Sequence, residues 1–193
     1  MAFHSPPLTA AWRHQGARTG FEVVYFRPSG DGRLLEGCTT ALEDGATWVV
    51  EYAIGVDDRW TTRSARITGR SVHGSATISL DADGLGGWWI DGEPAPYLDG
   101  CLDVDLESSA MTNTLPVHRA ALPIGDAMSA PAVYVRALDL AVSRLDQSYL
   151  RLPDRPEGHR YDYAAPAFDF TGVLAYDSSG LVLDYPGIAL RVA

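Results

Sequence analysis

"FEVVYFRP", Phe21–Pro28, followed by "SGDGR", Ser29–Arg33, is the stretch on which the fold turns. Its aromatic and β-branched residues suit a pleated strand. The glycine- and aspartate-rich run after it suits a tight hairpin turn. A strand that ends in a hairpin needs an antiparallel partner, and the sequence on either side supplies more of the same. "TWVVEYAIGV" (Thr47–Val56) is a second strong strand, and "WTTRSARITG" alternates from Trp60 to Gly69. "SATISLDADGLGGWWIDG" (Ser75–Gly92) reads as two strands around an Asp-Gly turn. "YLRLPDRPEGHRYDY" (Tyr149–Tyr163) and "AFDFTGVLAYDSSGLVLDYPGIALRV" (Ala167–Val192) read as further hairpins, the second followed by a last short strand. Many short strands with turns every eight to twelve residues specify an all-β, mainly antiparallel fold. The expected architecture is a curled sheet or a closed or half-open β-barrel, with at most one or two short helices.

One segment runs against that pattern. Tyr134, Ala137, Leu138, Ala141, Val142, Leu145, Tyr149 and Leu152 fit a helical stripe, and periodicity alone favours a helix through about Leu145. A strand reading of the same residues uses "AVYVRALDLAV" and "SYLRL".

The 193 residues suit one domain spanning 1–193, with residues 1–10 expected as a loose N-terminal segment. Acidic residues outnumber basic ones 25 to 15, for a net charge of −10. Such a surface repels phosphate backbones and anionic bilayers, so neither nucleic acid nor a membrane surface is an expected partner. All 15 basic residues are arginine. Without lysine the chain builds no P-loop, no Schiff base and no kinase strand lysine. The start shows no signal-peptide pattern and no window reaches the apolar length of a membrane span. A cytoplasmic protein with reduced Cys38 and Cys101 is the expectation. Oligomeric state is not legible.

The chemical motifs mostly fail. Asp103-x-Asp105-x-Glu107 opens like a calcium loop, but Ser108 replaces the glycine and Thr114 the closing glutamate. The five histidines form no zinc-type pair, and Ser71 with His73 lacks an orienting acid. No metal and no cofactor is expected. In "CLDVDLE" (Cys101–Glu107), Leu102, Val104 and Leu106 alternate with Asp103, Asp105 and Glu107. Asp103 and Asp105 thus share a strand face about 7 Å apart, a spacing that permits glycosidase chemistry. The competing reading pairs them internally with Arg63 and Arg119, because a buried charge needs a partner. Asn113 and Thr114 suit a turn before Pro116, with Leu115 held extended by the proline. Aromatic residues interleaved with polar ones, among them Trp60, Trp88, Trp89, Tyr149, Tyr161, Tyr163 and Tyr185, suit an amphiphilic ligand with an apolar body and a polar head.

"YLDGCLDVDL" (Tyr97–Leu106) with "TNTLPVHR" (Thr112–Arg119) resembles a bacterial glycolipid-binding family. "VDDRWTTR" (Val56–Arg63), "QSYLRL" (Gln147–Leu152), "YDY" (Tyr161–Tyr163) and "GLVLDYPGIALRV" (Gly180–Val192) carry the resemblance from about Trp12 to the C-terminus. It implies a curled antiparallel sheet or barrel, similar to carriers that hold lipoprotein acyl chains, and strands from Leu145 onward. It also implies a binding role for Arg63, Asp103, Asp105, Asn113, Thr114, Arg119, Gln147 and Tyr149, to which the aromatic inventory adds Trp88. One departure is "SSAM" (Ser108–Met111), where the family pattern has a proline, which implies a looser loop. The resulting expectation is non-catalytic binding of an amphiphile, a lipid or glycolipid. A sugar-active hydrolase using Asp103 and Asp105, and a protein-interaction module, are the alternatives.

Overall fold

The computed structural model describes residues 3–16 and 18–193. An antiparallel meander opens the chain: β1 (Thr9–His14), β2 (Arg18–Ser29), β3 (Gly32–Glu43), β4 (Ala46–Val56), β5 (Thr62–Ser71) and β6 (Gly74–Ala82), each bonded to the next. The turn between β3 and β4 uses Asp44 and Gly45, both at positive φ, the backbone that matches the twist of a two-residue hairpin. The short strands β7 (Trp88–Ile90) and β8 (Glu93–Pro94) extend this edge.

The chain then leaves the sheet. It forms β9 (Asp103–Leu106), a helix α1 (Thr114–Ala120), β10 (Ala127–Ser129), β11 (Ala132–Val135) and β12 (Val142–Leu145). A second meander follows, of β13 (Ser148–Arg155), β14 (Gly158–Ala165), β15 (Phe170–Tyr176), β16 (Val182–Tyr185) and β17 (Ala189–Arg191). β17 pairs with β1, Trp12 opposite Arg191, and joins the two meanders into one sheet. With β10 on β13, that sheet has 14 strands among the described residues, and its two edges, β10 and β8, do not meet. The fold class read from the sequence is therefore observed, in its half-open form.

β9, β11 and β12 make a separate three-stranded sheet, with β11 antiparallel to β12 and parallel to β9. The two sheets bury their faces against each other. Trp48, Val50, Tyr52, Ile54 and Val56 alternate inward from β4, and Ala10 and Trp12 from β1. Tyr149, Tyr161, Tyr163 and Tyr176 do the same from the second meander. All share one core with Val104, Leu106, Met111, Leu115, Val133 and Val135 of the middle segment. Each side chain of this size contributes roughly 1.5–3 kcal/mol when fully buried.

Four expectations change. Residues 134–145 form no helix: β11 and β12 flank a turn in which Leu140 has φ 54°. Val135, Ala137, Leu140 and Leu145 are buried while Leu138 and Ala141 of the expected stripe are exposed, because β11 pairs with β9 and β12 and the segment between is a turn. Second, Leu115 is helical, not extended. Pro116 lies in the first turn of α1, where its missing N–H costs nothing. Arg119 accordingly sits on the last turn of this helix rather than in a strand. Third, "SSAM" is not loose: Ser108 to Met111 are buried. Fourth, residues 3–10 are tied down. Phe3 packs 4.7 Å from the His118 ring and 5.3 Å from that of His159, and Thr9 and Ala10 open β1. Residues 1 and 2 of the expected loose segment lie outside the described residues.

Candidate functional site

β9 is buried on both faces, so its carboxylates need partners from the protein. Arg119 grips Asp103: Nη2 donates to Oδ2 at 2.6 Å, and Nε lies 3.1 and 3.2 Å from the two oxygens. Asp105 accepts from Thr112 Oγ1 at 2.9 Å and from Gln147 Nε2 at 2.7 Å. The Tyr149 hydroxyl is shared between Asn113 Oδ1 at 2.9 Å and Gln147 Oε1 at 3.1 Å. The structure thus gathers these residues into one cluster: hydrogen bonds link Asp105, Gln147, Tyr149 and Asn113, and the Asp103–Arg119 pair stands beside them. Between them there is no room even for a water molecule. Thr114 lies beside this group with its buried hydroxyl unpartnered.

Two expected members are elsewhere. Arg63 is half-exposed on the outer side, 3.9 Å from Asp57 and against Gly84. It is no partner of Asp103 or Asp105, because its strand turns it to solvent. Trp88 is buried and donates Nε1–H to the Cys101 carbonyl at 2.9 Å, tying β7 to the middle segment.

The open space lies on the other side of Asp105. A half-open cavity of about 310 Å³ lies between the two sheets. Tyr134, Tyr163, Phe168, Phe170 and Tyr185 line it, with Leu106, Leu145 and Ile188. Its polar wall is Gln15, Arg18, Asp105, Glu107, Ser109 and Asn113. Tyr185 packs edge to face on Tyr163 and Phe170, Tyr163 and Phe170 are tilted against each other, all with centroids 5.6–6.0 Å apart, and Tyr134 meets Phe168 at 5.3 Å. Of the expected site residues, only Asp105 and Asn113 reach this space.

Arg18 is held at the rim. It donates to the Glu107 carbonyl at 2.7 Å, lies 3.2 Å from Glu43 and 3.8 Å from the Glu107 carboxylate, and covers the Trp48 ring. Burial, then the charge of Arg18, lowers nearby His14 to about 4, so this imidazole is neutral at physiological pH.

Burial pushes the Asp105 carboxyl up to about 6, against the bonds from Thr112 and Gln147, while the charge of Asp103 adds to the rise. A folded-state value above the unfolded one means that Asp105 favours folding most below its ordinary pKa. That contribution is lost as pH climbs through about 6. Asp105→Asn is therefore expected to flatten the decline in stability between pH 4 and 6, measured by urea unfolding at each pH.

The residue that positions this wall is Glu22 of β2. It is fully buried and its Oε1 accepts from Tyr52 at 2.5 Å and from the Ser109 hydroxyl. Its Oε2 accepts from the Ala110 N–H at 2.8 Å. Tyr52 reaches it by lying across Gly37, where any Cβ would collide with the ring. Alternation in "FEVVYFRP" gives no hint of this, since the strand's wholly apolar set is Phe21, Val23 and Tyr25.

With this geometry in place, comparison settles the lineage. The family model described as "Putative glycolipid-binding" matches residues 9–191. The chain belongs to this family. A DUF1089 family protein from Pseudomonas aeruginosa, known from its crystal structure, is 31% identical over 100% of both chains, with a TM-score of 0.77. A β-barrel-like DUF1849 protein from Brucella abortus is 10% identical over 95% of this chain and 93% of its own, with a TM-score of 0.51, and is alike in fold alone. No curated protein matches. The resemblance of "YLDGCLDVDL" and "TNTLPVHR" to the glycolipid-binding family thus falls on β9 and α1, the elements that build the Asp103–Arg119 brace.

Proposed function

We propose that the protein binds an amphiphilic molecule, of the lipid or glycolipid class, without transforming it. The observation that carries this reading is the cavity between the sheets. Five aromatic rings form its apolar wall, and Arg18, Asp105 and Glu107 stand on its polar side. An apolar body lined by aromatics, with a few placed polar groups, is the usual composition of a small-molecule site. Its volume is near the lower end for such sites, which suits a head group or part of a chain. The glycosidase reading finds less support. Both oxygens of Asp103 are held by Arg119, so only one of the two carboxylates faces open space.

The test is binding of an uncharged apolar fluorophore, N-phenyl-1-naphthylamine, followed by its emission. Wild-type protein is expected to bind it. Ala165→Phe, which fills the cavity, and Phe170→Ala, which strips its wall, are each expected to weaken binding about tenfold or more, with circular dichroism unchanged. A wild type that does not bind, or a filled variant that binds equally well, overturns the reading.

A further inference from the structure

The charges around the cavity are unequal in a way that names the head group. Among the described residues, Arg18 is the one cationic side chain on its wall, against the carboxylates of Asp105 and Glu107. A third carboxylate, Glu43, sits on the same guanidinium. The carboxylates of Glu43 and Glu107 already offset the charge of Arg18, the Glu107 carbonyl takes one of its N–H groups, and the Trp48 ring covers it, so it attracts a further anion only weakly. His14 is neutral and Arg119 is spent on Asp103.

The acceptors are in the opposite condition. An ionised carboxylate takes about four hydrogen bonds. Asp105 receives two from the protein, through Thr112 and Gln147. Glu107, half-buried at the rim, takes one from the Ala137 N–H at 2.7 Å and a long contact from Arg18. The wall therefore presents spare acceptors and negative charge beside the π-faces of aromatic rings. Such faces attract cations and stack on the C–H surfaces of sugar rings, and they gain nothing from anions.

We infer that the cavity selects a head group that donates hydrogen bonds and carries no negative charge, and that it rejects sulfate, phosphate and carboxylate heads. This rests on the binding reading above and narrows it. An uncharged sugar and an alkylammonium share this chemistry, and the experiment separates them.

Hexyl glucoside, hexylammonium and hexyl sulfate, all below their micellar concentrations, are titrated calorimetrically into the full chain at pH 8. At least one of the first two is expected to bind about tenfold or more tighter than the sulfate. The tighter of them identifies a sugar or an amine head. Glu107→Gln, at the rim where folding is least at risk, and Asp105→Asn are expected to narrow that gap by strengthening sulfate binding. A gap below tenfold in wild type, or a gap unchanged in both variants, overturns the inference while leaving amphiphile binding intact. Failure of all three ligands, together with failure of the uncharged fluorophore, removes the binding reading and this inference with it.

Discussion

Replacing Arg119 with methionine is expected to destabilise the fold by about 3–5 kcal/mol, the cost of leaving a buried charge without its partner. Asp103 is only 2% exposed in its side chain and Arg119 is 18% exposed, so water cannot take the guanidinium's place. Burial pushes the Asp103 carboxyl up, and the hydrogen bonds and charge of Arg119 oppose that rise. Once Arg119 is gone, burial acts alone and the carboxyl takes up a proton more readily. The loss is therefore expected to shrink as the pH falls from neutral toward the ordinary carboxylate range, since the raised carboxyl of the variant is protonated first and a neutral acid costs less to bury. Urea unfolding of the variant at pH 7 and pH 4 measures both effects. Combining Arg119→Met with Asp103→Leu is expected to recover much of the loss, because replacing both members of a buried pair is far cheaper than removing one. A loss below about 1 kcal/mol, the size of a surface pair, would mean that Asp103 finds other partners.

Glu22→Ala is expected to cost a similar amount, about 3–5 kcal/mol, for a different reason. It removes one carboxylate and strands four donors: the Tyr52 and Ser109 hydroxyls and the N–H groups of Ala110 and Met111. Each buried donor left unpaired costs about 1–3 kcal/mol. Glu22→Gln keeps the shape and one accepting oxygen, and is expected to lose less. The two changes also separate stability from site geometry. Ser109 lines the cavity, so release of residues 107–113 is expected to weaken fluorophore binding in Glu22→Ala. Hydrogen exchange at Ala110, slow in wild type, is expected to become fast.

Much of the fold was legible because hairpin turns announce themselves. "SGDGR", "LDADG" and "DSSG" each connect two adjacent strands where the sequence places them. Strand faces were less legible. In β2 the apolar set Phe21, Val23 and Tyr25 faces outward, with Phe21 and Tyr25 about half exposed, while Glu22 faces the core. Composition favours the opposite orientation. Tyr52, Ser109 and two backbone N–H groups, all distant in sequence, are what make the buried carboxylate tolerable. The site was legible in part. Asp103 with Arg119, and Asp105 with Gln147, stand together because β9 lies beside α1 and near the start of β13. Arg63 is absent because pairing by charge alone ignores which side of a strand a residue occupies. The cavity wall was hidden for the same reason. Phe168 and Phe170 flank a short turn, and only the curl of the large sheet and its packing on the small one bring them to the same cavity as Arg18 and Glu107.

The seam between β1 and β17 has a kinetic meaning. Neighbouring hairpins in each meander close loops of a few residues, a microsecond event. The seam brings together Trp12 and Arg191, roughly 180 positions apart, at about 2–3 kcal/mol more closure entropy than a ten-residue loop. Contacts of this range are what slow the folding of β proteins. The seam also runs on past β1, where the Gln15 N–H donates to the Ile188 carbonyl at 2.8 Å, and both residues line the cavity. The cavity wall is thus completed only when the first and last strands meet. A bound molecule there would hold the seam shut and lengthen the lifetime of the folded chain.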